Sequence, residues 1–174
     1  MHAMIERLLL NDKQLYLTLN ATSKSSAFAR IMHVVTHLGA TTTAILAALL
    51  ALYLEYTYQI PIGIEMLITL IFSQLIVQTI KRLVNRPRPY KSISIANVLK
   101  PPACAYSFPS GHTACAFTIA LSYAHGISFL FLPLMFIAFI VGMSRIILGY
   151  HYPTDVLIGM LIAYLSHLWS LMLI

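Results

Sequence analysis

The feature that most restricts this chain is a succession of apolar runs long enough to cross a lipid bilayer. A membrane-spanning helix needs roughly 20 consecutive apolar residues. Residues 31–54, 60–80, 110–124, 127–147 and 153–174 read as five such runs, the third shorter than the others. A backbone in lipid has to satisfy its own hydrogen bonds, so the runs predict helices packed into one all-α integral membrane bundle. Composition agrees. Of the 174 residues, 59% are hydrophobic and 9% charged, whereas a soluble domain carries roughly 25% charged residues. Lipid is therefore the expected main solvent, and residues 1–174 read as a single membrane domain.

Within that domain, residues 1–30 form an amphipathic arm and residues 31–174 the core. The arm mixes Glu6, Arg7, Asp12 and Lys13 with Leu8, Leu9, Leu10, Leu15, Tyr16 and Leu17. This pattern suits a helix lying in the membrane interface; a plain cytosolic amphipathic arm is the other reading. Asn11, Asp12 and Lys13 interrupt the apolar stretch too early for a cleaved signal peptide. Cys104 and Cys115 lack a Cys-x-x-Cys or zinc-type spacing and read as small apolar residues more readily than as a disulfide.

The charges are not spread evenly. Formal net charge is +6, and six of the eleven basic residues fall within 81–108, a loop expected to carry a short interfacial helix over 93–99. Counting crossings puts this loop and the 144–152 link on one face of the membrane. The 55–59 and 125–126 links lie on the other face and hold no Lys or Arg. Excess basic charge at a membrane points to anionic headgroups or an anionic substrate.

Three short stretches at helix ends on that basic face hold nearly all the remaining polar chemistry. They are Lys81-Arg82-Leu83-Val84-Asn85-Arg86-Pro87-Arg88-Pro89, then Pro109-Ser110-Gly111-His112, then Ser144-Arg145 followed by His151-Tyr152-Pro153-Thr154-Asp155. Each has a plain reading alone. The cations suit a stop-transfer cluster, Ser110 a helix N-cap, Arg145 an ion pair with Asp155, and His151 with Asp155 an ordinary polar pair. Together they form an inventory for phosphoryl transfer. Arginines give planar contacts to phosphate oxygens. A helix opening at Ser110 and Gly111 offers free N–H groups to an anion. A neutral histidine can attack phosphorus, a carboxylate can orient it, and a second histidine can protonate the leaving group. With no carboxylate cluster, the expectation is catalysis without a metal or other cofactor.

The spacing of these residues resembles the type 2 phosphatidic acid phosphatase family, whose site is shared with glucose-6-phosphatase and the vanadium haloperoxidases. The family pattern is Lys, six residues, Arg-Pro; then Pro-Ser-Gly-His; then Ser-Arg, five residues, His, three residues, Asp. Lys81 to Pro89, Pro109 to His112, and Ser144 to Asp155 match it in order and in every interval. The resemblance implies that His151 is the nucleophile, Asp155 orients it and His112 is the general acid. It assigns the phosphoryl oxygens to Lys81, Arg88, Ser110, Gly111 and Arg145. Arg82 and Arg86 fall outside the motif and are expected at headgroups or the substrate periphery. The expected reaction is metal-independent removal of a phosphate from a membrane lipid through a phosphohistidine. The bilayer and a lipid phosphate are the expected partners, and nucleic acid is not one.

The resemblance further implies a bacterial inner membrane with the site on its periplasmic face, against a literal count of basic residues, which would place it in the cytoplasm. Candidate substrates are the 1-phosphate of lipid A, phosphatidylglycerol phosphate, undecaprenyl diphosphate and phosphatidic acid. Gly111 stands where undecaprenyl-diphosphate phosphatases of the family often carry Asp, which favours the others. The 89–108 loop, with Tyr90, Tyr106 and Phe108, is the expected selectivity element. A lipid phosphotransferase with the same site, or a non-enzymatic lipid-binding or lipid-flipping protein, are the alternatives.

Overall fold

A computed structural model describes residues 2–24, 26–98, 100–102 and 104–174. In chain order the α-helices are α1 (His2–Asn20), α2 (Ser26–Val35), α3 (Thr41–Tyr58), α4 (Gly63–Val84), α5 (Pro89–Ser92), α6 (Gly111–Gly126), α7 (Phe131–Ile147) and α8 (Pro153–Leu171). Short 3₁₀ turns occupy Ala21–Lys24, Thr36–Gly39 and Ser128–Leu130.

The apolar runs become helices, with two corrections. The 31–54 run is not one straight span. It breaks at Thr36–Gly39, and the two halves, Ala27–Gly39 and Thr41–Tyr58, are bent by 45°. The short helix of the 81–108 loop lies at Pro89–Ser92 instead of 93–99, because Pro89 is preset for a first helical turn; Leu99 lies outside the described residues. Three helices, Gly63–Val84, Ser128–Ile147 and Pro153–Leu171, are long and apolar enough to cross a membrane, and the bent pair makes a fourth. At 16 residues, α6 is shorter than a full span. It lies at the centre, packed on α3, α4, α7 and α8, so neighbouring helices surround it.

Small residues bring those helices close. Ala116 and Ala120 of α6 meet Ala138 and Val141 of α7 and Ala163 of α8 in one buried cluster. Where α8 passes the start of α6, a side chain at Gly159 would sit 2.6 Å from the Ser110 carbonyl. At the end of the bundle away from the basic loop, buried Glu65 accepts hydrogen bonds from Thr69 and Ser170 and pairs with His167.

The arm departs most from expectation. Its leucines at 8, 9, 10 and 15 are exposed, while Asp12, Tyr16 and Asn20 are buried. These three, four residues apart, form one face of α1, and that face docks on α7 and α8. Asn20 donates to the carbonyls of Asn97 and Ile147, both at 2.8 Å, and accepts from the Asn97 N–H at 2.7 Å. The polar stripe thus faces protein, not water.

Candidate active site

The three motif stretches meet at one end of the bundle. Lys81 ends α4, where one face of the helix presents Gln74, Gln78 and Lys81 at helical spacing. The chain then turns through Asn85, in the left-handed region at φ 51°, into the basic loop. That loop is pinned by a bridge between Pro87 and Tyr106 and by Ser107 N–H donating to the Arg86 carbonyl at 2.9 Å. Arg88 Nε donates to the Cys104 carbonyl at 2.7 Å and Nη1 to the Tyr150 carbonyl at 2.8 Å, which ties the loop to the link before α8. The link itself turns at Gly149 (φ 79°), where a side chain would collide with the Asn97 carbonyl.

A cavity of about 300 Å³ lies between these elements, lined by Lys81, Arg88, Gly111, His112, Arg145 and His151, with Gly39, Thr41, Gln74, Gln78, Cys104 and Cys115 among the remaining wall residues. Ser110 and Asp155 stand behind that wall, fully buried. Ser110 is the N-cap of α6: its hydroxyl accepts from Thr113 Oγ1 at 2.8 Å, and its N–H donates to the Asp155 carbonyl at 2.9 Å. The first-turn N–H groups of Gly111 and His112 have no carbonyl within the helix to receive them, so the helix start presents donors to the cavity.

The electrostatics of the wall are one-sided. Lys81, Arg88 and Arg145 are 7%, 2% and 4% exposed, and among the described residues none of them forms an ion pair. The expected alternative partner for Arg145, Asp155, is engaged elsewhere. Arg145 donates to Thr36 Oγ1 at 2.7 Å, its guanidinium lies 4.6 Å from the Tyr150 ring centroid, and its Nε has no partner among the described residues. Among the described residues Lys81 reaches only the Tyr106 carbonyl, at 3.4 Å.

His151 is buried among these cations. Burial, then the charges of Arg145, Arg88 and Lys81, hold its imidazole pKa well below the ordinary histidine value. Its Nε2 lies 3.3 Å from Arg88 Nη1. Its Nδ1 faces Asp155 Oδ2 at 3.5 Å without a well-formed hydrogen bond among the described residues. Asp155 is held by other groups: Oδ2 accepts from Tyr152 N–H at 2.8 Å, and Oδ1 accepts from Arg86 Nη1 at 2.6 Å.

Arg86 is therefore a correction. Expected at headgroups or the substrate periphery, it turns inward instead. It bridges Asp155 and Asp12 and lies 3.9 Å from the Tyr152 ring centroid. The carboxylates draw it in, and the Tyr152 ring gives its planar cation a face to cover. Among the described residues no group of three or more His, Cys, Asp or Glu side chains gathers to hold a metal ion. Cys104 and Cys115 are free thiols, the first exposed and the second buried.

Residues 62–174, well over half of the chain and all three motifs, match the model of the PAP2 superfamily. The chain belongs to this superfamily. Among its PAP2 relatives is a lipid A 1-phosphatase of Rhizobium johnstonii, 33% identical over 120 residues that make up 63% of this chain and 45% of the relative. Another is the undecaprenyl-diphosphatase BcrC of Bacillus subtilis, 36% identical over 77 residues, 44% of this chain and 39% of that one. The matched stretches thus span about half the length of these relatives or less. In three dimensions the PAP2 bundle superposes on the crystal structure of Aquifex aeolicus LpxE with a TM-score of 0.80 at 28% identity, covering 91% of this chain and 93% of the other. A phosphatidylglycerolphosphate phosphatase of Bacillus subtilis has the same fold, at TM-score 0.75 and 24% identity over 94% of this chain and 86% of that one.

Proposed function

We propose that this PAP2 protein is a lipid phosphatase that passes a phosphoryl group from a membrane lipid to His151 and then to water. One observation carries the reading: three buried cations without ion pairs line one cavity with His112 and His151. Burying a charge without a partner costs several kcal/mol, and a phosphate dianion supplies the missing counter-charge to all three. Arg88 and Arg145 offer planar forks for its oxygens, and the start of α6 adds backbone donors.

The lipid half of the reading rests on a second cavity. An apolar groove of about 310 Å³ runs between α3 and α4, lined by Ala44, Ile45, Ala48 and Leu49 on one side and Leu67, Leu70 and Ile71 on the other. It shares Thr41, Gln74 and Cys115 with the charged cavity. Ile45, Leu49 and Ile71 are exposed on its rim. A hydrocarbon chain in this groove sets its phosphate against the three cations.

Chemistry then follows from position. Neutral His151 attacks phosphorus through Nε2 once the phosphate draws Arg88 away from that nitrogen. The P–N bond forms as the P–O bond to the lipid breaks, and His112 gives its proton to the leaving oxygen. Positive charge on the ring draws Nδ1–H toward Asp155, closing the 3.5 Å gap; such bonds are often long before substrate binds. Water then attacks the phosphohistidine, His112 takes the water's proton, and phosphate leaves. Lys81, Arg88 and Arg145 stabilise the equatorial oxygens in both steps.

The lipid A 1-phosphatase relative and Gly111 together make the lipid A 1-phosphate the leading candidate, with phosphatidylglycerol phosphate and phosphatidic acid beside it and undecaprenyl diphosphate, which the second relative brings in and Gly111 disfavours, behind them. The proposed setting is the outer face of a bacterial inner membrane. Lys81, Arg86, Arg88 and Arg145 are taken up by the site, so they are poor markers of the cytoplasmic side. The test is phosphate release by the purified protein from all four lipids. At least one is expected to turn over, unchanged in excess chelator, with His151→Ala slower by roughly a thousandfold or more. Release undiminished in His151→Ala, or no release from any lipid, contradicts the reading.

A further inference from the structure

We infer that Asp12, on the N-terminal helix, is a positioning residue for the reacting histidine, acting through Arg86 and Asp155. The inference rests on the assignment of His151 as nucleophile and extends the site to a segment 139 residues away in sequence.

Asp12 is 5% exposed. Its Oδ1 accepts the Thr154 N–H at 3.0 Å, and its Oδ2 accepts Thr154 Oγ1 at 2.6 Å and Arg86 Nη2 at 2.7 Å. Arg86 Nη1 continues the chain to Asp155 Oδ1 at 2.6 Å and to Thr154 Oγ1 at 2.8 Å. Asp155 Oδ2 then faces His151 Nδ1 at 3.5 Å. Four ionisable groups thus stand in order: Asp12, Arg86, Asp155, His151.

Charge balance gives Asp12 its role. With Arg86 alone as neighbour, Asp155 would belong to a neutral pair, poorly suited to stabilise a ring that gains positive charge on attacking phosphorus. A second carboxylate on the far side of Arg86 shares its charge and leaves the cluster with a net negative charge behind the imidazole. That charge lies opposite the cavity wall of Lys81, Arg88 and Arg145. Direction matters as well as charge: the shared guanidinium holds the Asp155 carboxylate by Oδ1 and the Tyr152 N–H holds it by Oδ2, which keeps Oδ2 facing Nδ1.

Anchoring alone does not require a carboxylate here. The same helix is held by Asn20 through three short hydrogen bonds and by fully buried Tyr16 against Tyr152. A buried ion pair is no better an anchor than well-packed apolar side chains.

The experiment uses full-length protein and a lipid phosphate that the wild type hydrolyses. Asp12→Asn is expected to lower kcat about tenfold with KM nearly unchanged. The acid limb of its kcat/KM profile moves to lower pH, because loss of a negative charge makes His151 harder to protonate. In an Arg86→Ala background the same substitution should add little further loss. Asn20→Ala, which loosens α1 at its other anchor, is the structural baseline and should leave the acid limb in place. The inference is overturned if Asp12→Asn keeps wild-type kcat and pH profile, if its loss is undiminished without Arg86, or if Asn20→Ala shifts the limb equally. Failure of the nucleophile assignment is separate, since His151→Ala would then retain activity in the wild-type Asp12 background.

Discussion

A histidine between three cations is unlike a histidine in water, and this decides how the protein should respond to pH. In the proposed reaction the attacking form of His151 is the neutral ring. Burial and the charges of Arg145, Arg88 and Lys81 lower its pKa, so protonation, and with it loss of the nucleophile, is postponed to lower pH. The acid limb of kcat/KM for the free enzyme is therefore expected below the ordinary histidine pKa of about 6.5. Arg145→Ala removes one of these charges and should move that limb upward; a limb that stays in place would remove Arg145 from the electrostatics of His151. Comparing the two proteins on one lipid cancels the substrate's own ionisation. At this scale the motif residues were legible in the sequence, because their types and intervals are local. Arg86 and Asp12 were not, because their roles arise only when residues 12, 86, 154 and 155 meet in space. A fainter signal was present: Gln74, Gln78 and Lys81 share one helical face, and Asp12, Tyr16 and Asn20 share another.

Hydropathy located the helices and missed how two of them are used. The 31–54 run contains His33, Thr36, His37 and Thr41 to Thr43 but no Lys, Arg, Asp or Glu to divide an apolar window. Yet the chain turns there, where the bare backbone of Gly39 passes against the carbonyl of His112. That turn also supplies Thr36, the hydroxyl partner of Arg145. The arm was legible as amphipathic but not in its direction, since a helix with leucines on one side and polar groups on the other can rest on water or on a polar site. The short α6 run was legible as a helix. Its central place follows from its small buried residues, Ala114, Ala116, Ala120 and Ala124, which let four neighbours close around it.

The whole molecule sets a charged cavity at one end of an apolar bundle, beside a groove that opens toward lipid. Which side of the membrane that end faces can be read from the chain's own thiols, because Cys104 is exposed at the cavity and Cys115 is buried. A membrane-impermeant maleimide added to intact spheroplasts should label Cys104 if the site faces outward; labelling only after lysis would place it inside. The central claim is that a lipid phosphoryl group passes through the protein on its way to water, and the stereochemistry at phosphorus tests this most directly. A lipid phosphorothioate made chiral with oxygen isotopes would be hydrolysed in isotopically labelled water and the released thiophosphate analysed for configuration. Two successive in-line displacements, first by His151 and then by water, predict net retention, and release from His151→Ala slower by roughly a thousandfold or more. Inversion would mean that water attacks the lipid phosphate in a single step and would contradict the account.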